Sequence, residues 1–474
     1  MKNLFVITFI LIASITTFAQ YKTEPVQLNK GPQLFIDDYL IAEQSFLTRT
    51  VNNPKKMDKP ILYGGQSKDQ VWQPYFSVIQ DPETKRFKMW YNTFVESMNI
   101  SRCKLSYIES DDGINWHRPF HVCDYPEEIQ FGCTVLDRGQ DFINPQERYL
   151  FATYLKPGFR IATSPDGINW KPISKDPVFL HNHDITTLHW DPIRKHYLAV
   201  VSHRLPGFSD PNNPKMDEQR RIPHQTVSKD LINWEPIKPI FWPKVGAPIE
   251  KGETQFYAMS GVIARGGLLI GLVKILRDDI NATAGASAYE MADMDRKAAG
   301  LGYTVLAWSR DGYTWQRDYE PFIPNNPVPG SWDHAMAWGD EQVIVGNETF
   351  LYYGGYQRGH KVNRFEERHL CLARMPVDRY VSRDADLNTG YLITKPVLFN
   401  SEQLSVNANI KGEMRVRLLD SERNPLNDFG WVELKGDSIN HEVKWKGKLS
   451  SLSGKTVCLE FQFKHAQLFS FNLN

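Results

Sequence analysis

Four carboxylates stand at positions where acid–base chemistry could be done. Asp184, Glu253 and Asp333 each fall at the head of an apolar, strand-like run, and Asp38 sits beside Asp37 between Phe35 and Tyr39. A carboxyl group serves as a general acid when neutral and as a base or nucleophile when ionised, and its surroundings decide which. Thr254, Phe256 and Tyr257 follow Glu253 closely, a partly apolar setting of the kind that raises a carboxyl pKa. Asp184 follows His183 and Asp333 precedes His334, so two of the acids carry a neighbouring imidazole. The plain alternative is that these acids cap strands. For Asp37 and Asp38 it is a turn or edge pair, since strand alternation sends only one of the two inward. No close cluster of ligand-type residues marks a catalytic metal.

The elements that must position these groups are read from an internal repeat. Ser110-Asp111-Asp112-Gly113-Ile114-Asn115-Trp116 recurs as Ser164-Pro165-Asp166-Gly167-Ile168-Asn169-Trp170. Further copies are Ser228-Lys229-Asp230-Leu231-Ile232-Asn233-Trp234 and Ser309-Arg310-Asp311-Gly312-Tyr313-Thr314-Trp315. The copies lie roughly 55 to 80 residues apart, the spacing of propeller blades with loop insertions. Asp-Gly supplies the positive φ of a tight turn, and the Trp returns onto the sheet. Each copy follows an apolar strand, and a second hairpin lies upstream, as in Phe76–Ile79 with Phe87–Tyr91. Four antiparallel strands per repeat are therefore expected. A fifth unit runs from Asp333 to Ala373 without the motif. The expectation is an all-β chain, a five-bladed β-propeller over residues 20–385 followed by a C-terminal β-sandwich over 386–474. Gln33 to Ile41 is expected to close the ring against the last blade.

Composition narrows the class. Lys plus Arg and Asp plus Glu number 55 each, so no basic excess marks a nucleic-acid partner. Aromatic residues make up 12%, in keeping with stacking on sugar rings, although packing alone can demand as much. Lys2 and the apolar run Leu4 to Ile15 read as a secretory signal peptide over residues 1–19, cleaved after Ala19. Secretion or a periplasmic location follows, with no membrane anchor. Cys103, Cys123, Cys133, Cys371 and Cys458 form no Cys-x-x-Cys pair, and buried free thiols are expected.

With the Leu34-Phe35-Ile36-Asp37-Asp38-Tyr39-Leu40-Ile41 phrase added to the repeat, the chain resembles the five-bladed propeller glycoside hydrolases of families 43 and 32 over residues 30 to 385. The resemblance implies an axial funnel where the innermost strands begin, with one carboxylic acid and one carboxylate flanking a glycosidic bond. Glu253 is then the general acid, and Asp184 or Asp333 the base, with Asp38 as a further candidate from an early strand. Trp72, Gln73, His183, Gln255 and His334 at strand starts, and His203, Arg204, Arg277 and Arg358 at second-strand exits, are the expected substrate-binding residues. The arginines suggest an acidic or sulfated glycan. No cofactor is required, and the resemblance allows a central Ca2+ ion held with the help of His334. Gln73 stands where those families place their first carboxylate, which is a departure.

The resulting expectation is a secreted, exo-acting glycoside hydrolase for a plant or algal glycan. The alternative is a non-catalytic glycan-binding propeller. A sialidase-like enzyme ranks behind both, because the motif echoes an Asp-box but the unit count is five.

Overall fold

The computed structural model describes residues 24–473 except 66, 95–102, 130–131, 206–219, 244–253, 278–279, 281, 283–299, 361 and 364, and omits the side chains of 205, 220, 254 and 255. The expected signal peptide lies outside the described residues. The chain is all-β. Strands form where the repeat places them: Val71–Gln80, Phe87–Thr93 and Lys104–Ser110 in the first unit, for example, with His121–Val122 completing a four-stranded sheet.

Each motif turn is built as its sequence demands. The Asp112 carboxylate accepts from the backbone N–H of Ile114 and Asn115 at 2.8 and 2.7 Å, and Ser110 Oγ accepts from Gly113 N at 2.9 Å. Asp166, Asp230 and Asp311 repeat this pattern. Gly113, Gly167 and Gly312 have φ of 73°, 80° and 76°, and Leu231 adopts 68° in the copy that lacks glycine. Burial acts to raise the Asp112 and Asp311 carboxyls, but the backbone donors outweigh it and hold both at about 2.

The turns also join neighbouring units. Tyr352 Oη donates to Gly113 O at 3.0 Å, Trp90 Nε1 to Gly167 O at 2.6 Å, and Gln225 Nε2 to Gly312 O at 3.2 Å. A Cβ on Gly167 would lie 2.7 Å from the Trp90 ring. In these three copies the motif is thus a clamp between units.

The sheet organisation corrects the expected five-bladed β-propeller with a C-terminal β-sandwich. Among the described residues there are five sheets, of ten, five, four, eight and four strands, and by hydrogen bonding none curls or closes on itself. The fourth and fifth units share the eight-stranded sheet, joined by parallel pairing of Gly302 with Met336. Gly31–Leu34 pairs with Thr456–Leu473 and Ile41–Ser45 with Gly390–Thr394, so the N-terminal strands enter the ten-stranded C-terminal sheet instead of closing against the last unit. Lys55–Lys56 is the segment that pairs with Arg368–Pro376. The C-terminal strands form no self-contained sandwich. Their core around Phe35, Leu392, Val416, Phe461 and Phe471 includes N-terminal Phe35 and Leu40. A local turn motif reports hairpins but carries no information on these long-range edge pairings, which is why the architecture was misread.

Side-chain packing sets the first strands of the units beside one another. Val71–Gln80 packs on Thr134–Asp137 and Met336–Val345, while Thr254–Arg265 packs on Thr186–Asp191 and Met336–Val345. Between them lies one core of Tyr75, Ile185, Tyr257, Ala258, Leu276, Ala335, Met336, Trp338 and Tyr356. All five cysteines are free and buried.

Candidate functional site

The central core carries a polar rim, and Asp184 is on it. Asp184 belongs to the turn between Phe179–Leu180 and Thr186–Asp191. Asn182 clasps this turn to the strand His196–Leu205: its Oδ1 accepts from Arg204 N at 2.8 Å and its Nδ2 donates to Arg204 O at 3.0 Å. Ser202 N donates to Ile185 O at 2.9 Å. The next residue, Ile185, is anchored in the core, so Asp184 is held at its edge with 22% of its side chain open.

His183 Nδ1 lies 2.7 Å from Asp184 Oδ1. The two atoms are close but not in line for a hydrogen bond, so the contact is chiefly electrostatic. On the other side of the ring, Arg221 Nε donates to His183 Nε2 at 2.9 Å. Arg221 stacks on the Tyr257 ring at 4.2 Å. Desolvation is the largest influence on Asp184 and acts to raise its pKa, but His183 and Arg221 outweigh it and hold the carboxyl below its ordinary range. For His183, desolvation dominates and, helped by Arg221 and Arg204, lowers the imidazole against the pull of Asp184. Asp184 is an ionised carboxylate and His183 a neutral ring.

Tyrosines and a second arginine surround this group. Burial, followed by Tyr356 and Asp184, pushes the Tyr75 phenol well up, and Arg368 and Arg221 pull it down, so Tyr75 lies among all four. Tyr154 is raised by burial and by Asp184. Arg368 is fully buried; it donates to Gln73 Oε1 and His360 O, and lies over the Tyr356 ring at 4.6 Å and the Trp72 ring at 5.9 Å. Trp72 packs on Phe94 at 4.4 Å. Tyr257, Trp338 and His360 form one aromatic group, with centroids 4.7 to 5.7 Å apart.

Asp184 is in contact with His183, and Gln73 and Trp72 meet Arg368, which together with Asp184 acts on Tyr75. His203 and Arg204 flank the same turn, His203 packing on His224 at 4.8 Å. Other candidates sit in different surroundings. Asp333 is ion-paired with Lys56 and accepts from Tyr353 Oη at 3.1 Å. His334 Nδ1 is 2.8 Å from Asn326 O. Arg358 forms a two-pronged pair with Glu367. Arg277 is buried at the end of Leu268–Arg277, opposite Leu301. Asp38 is 71% exposed and pairs with Arg383, beside a groove of about 730 Å³ lined by Asp37, Tyr39 and Arg310. Glu253 and the Gln255 side chain lie outside the described residues. Among the described residues, no group of three or more His, Cys, Asp or Glu side chains is arranged to hold a metal ion.

Arg221 and Arg368 were missed. Arg221 is the second residue and Arg368 the first of the third strand of its unit, paired respectively with Arg204 and Tyr356 at second-strand exits. Third-strand starts share an end with second-strand exits, and that rule would have found both.

No family model and no curated protein matches the chain. Among solved structures it is similar to a glycosyl hydrolase from Bacteroides ovatus, at 13% identity and a TM-score of 0.46, covering 71% of this chain and 97% of the other. It is also similar to the GH32 β-fructofuranosidase BmSUC1 from Bombyx mori, at 10% identity and 0.44, covering 88% and 94%. A third is an N-acetylgalactosamine deacetylase from F. plautii, at 16% and 0.43, covering 70% and 96%. The three are diverse in the activities that they are named for and distant from this chain in sequence. The specific resemblance to five-bladed enzymes of families 43 and 32 is not upheld, given the sheets described above.

Proposed function

We propose that the protein is a carbohydrate-active hydrolase that cleaves O-glycosyl bonds beside Asp184. One observation carries the reading: a partly open carboxylate, kept ionised by His183 and Arg221, at the edge of a core rich in Tyr and Trp side chains. Glycoside hydrolysis requires an ionised carboxylate as base or nucleophile, opposite a carboxylic acid that protonates the leaving oxygen. Asp184 has the charge for the first role. Glu253 is assigned the second from the sequence, since it immediately precedes the strand Thr254–Arg265 that delivers Tyr257 to the same core. Aromatic faces suit sugar rings. Arg204 and Arg221 set positive charge near Asp184, which favours an acidic or sulfated glycan, taken from its chain ends. The leader-like N-terminus, with Lys2 and the apolar run Leu4 to Ile15, supports activity in the periplasm or the exterior.

The test is turnover of an oligosaccharide panel by the purified protein and by Asp184→Asn and Glu253→Gln. Loss of about 10²- to 10⁴-fold in kcat for each is expected. Undiminished cleavage by Asp184→Asn overturns the assignment. Tight glycan binding with no turnover by the parent protein would instead identify a glycan-binding protein.

A further inference from the structure

We propose that Arg221 is a positioning residue that sets the tautomer of His183 and, through that ring, the hold on Asp184. This deepens the role given to Asp184 above, although the geometry behind it does not depend on the reaction. An arginine Nε–H can only donate. Its contact with His183 Nε2 at 2.9 Å therefore needs a lone pair on that nitrogen. The proton of a neutral ring is then on Nδ1, which faces Asp184 Oδ1 at 2.7 Å. The opposite tautomer would set two donors against each other at one end and a lone pair against a carboxylate at the other. An imidazolium would keep the contact with Asp184 but break the one with Arg221. Arg221, His183 and Asp184 thus form a chain whose first link is a directional hydrogen bond and whose second is a close electrostatic contact.

The placement of Arg221 is itself fixed. It is the second residue of the strand Arg220–Ser228, pairs with Arg204 across the ladder, and rests on the Tyr257 ring at 4.2 Å. The groups facing His183 and Asp184 from each side are consistent with a neutral ring. On their own turn lies His181, a neighbour that is itself neutral. From His196–Leu205 comes Arg204, from Tyr149–Leu155 Tyr154, and from Val71–Gln80 Tyr75. Two cations and no second carboxylate are among these described neighbours, so imidazolium is disfavoured while Arg221 is in place.

The experiment is histidine-nitrogen NMR on the full mature chain, with His183 assigned by loss of its signals in His183→Gln. In the parent protein His183 is expected to show one tautomer, with Nδ1 protonated and Nε2 bare, and no titration between pH 5 and 8. Asp184→Asn should keep that tautomer, because the donor that imposes it remains. Arg221→Met, which retains apolar cover on Tyr257, should give mixed tautomers and a titration shifted upward from that of the parent, because one of the cations that lower the ring is gone. Arg221→Lys restores a group that can only donate and should recover the single tautomer, and Arg221→Leu stands in should the methionine variant not fold. Where a cleavable glycan is known, the acid limb of the kcat/KM profile should move upward by about one pH unit in Arg221→Met. A single unchanged tautomer in Arg221→Met, or its loss in Asp184→Asn, overturns the proposal. Absence of turnover on every glycan would bear on the hydrolase reading alone, since the tautomer is read without substrate.

Discussion

Lys274→Met tests the contact that ties three units together beneath the site. Lys274 Nζ is fully buried, 2.5 Å from Asp340 Oδ1, and lies over the Tyr75 ring at 4.4 Å. Asp340 Oδ2 accepts from Phe76 N at 2.8 Å, so one carboxylate links the fourth, fifth and first units. Burial raises the Asp340 carboxyl and lowers the Lys274 amine, and the pair is stable because each offsets the other. Without Lys274, Asp340 must stay charged in an apolar site or take up a proton. Protonation bounds the cost: about 1.4 kcal/mol for each pH unit between the ordinary carboxyl value of 3.8 and the ambient pH, hence about 4 kcal/mol at pH 7. At pH 5 the same reasoning gives less than about 2 kcal/mol. The sign follows from proton counts. In the variant, folded Asp340 holds a proton that the unfolded chain releases above 3.8, so stability falls as pH rises. Urea unfolding of the parent, Lys274→Met and Lys274→Met/Asp340→Asn at pH 5 and 7 measures this. The double variant should regain most of the loss, because it leaves no buried charge. A loss below 1 kcal/mol at pH 7, a pH-independent loss, or a double variant no better than the single one would refute the reasoning.

Two further outcomes follow from the same physics. Gly167→Ala forces a side chain onto φ 80° and against Trp90, so it should cost roughly 2–3 kcal/mol, whereas Gly346→Ala, at φ 59° with nothing within 4 Å, should cost only about 1 kcal/mol in thermal or urea unfolding. Desolvation holds His181 at about 3 and His189 and His369 at about 4, all below their unfolded value near 6.5. Below that value the unfolded chain binds protons that these folded rings refuse. Stability should therefore drop as pH falls from 6.5 toward 4, with a slope from these three groups approaching about 4 kcal/mol per pH unit. A stability profile flat from pH 6.5 to 5 would show that these rings are not held neutral.

What was legible in the sequence was local. The Ser-x-Asp-Gly turn reads directly because its chemistry lies within seven residues: Ser110, Asp112 and Gly113 satisfy one another's backbone. The hairpins around it read for the same reason, whereas His183 and Asp184, expected at the start of a strand, lie in the turn that precedes Thr186–Asp191. The sheet plan was not legible, because Gly302 with Met336 and Gly31–Leu34 with Thr456–Leu473 are chosen by edges far apart in sequence. Asp333 illustrates the equivalent error at the site. Its position is the one expected, but Lys56 reaches it from 277 residues away and, with Tyr353, takes up its carboxylate. No periodicity in the chain announces such a partner.

The arginines show how that gap can be narrowed. In an antiparallel ladder the exit of one strand and the start of the next share an end of the sheet, so a residue at one implies a neighbour at the other. Applied to Arg204 the rule yields Arg221, and applied to Tyr356 it yields Arg368. The two arginines differ in accessibility. Arg368 is sealed against Gln73 and His360 and fixes the floor, whereas Arg221 is incompletely buried and meets the ring that touches Asp184. A charge buried within the fold and a charge that meets a titratable ring can therefore occupy equivalent ladder positions. What separates them is the neighbour each one donates to, a backbone carbonyl and an amide for Arg368 and a titratable ring for Arg221.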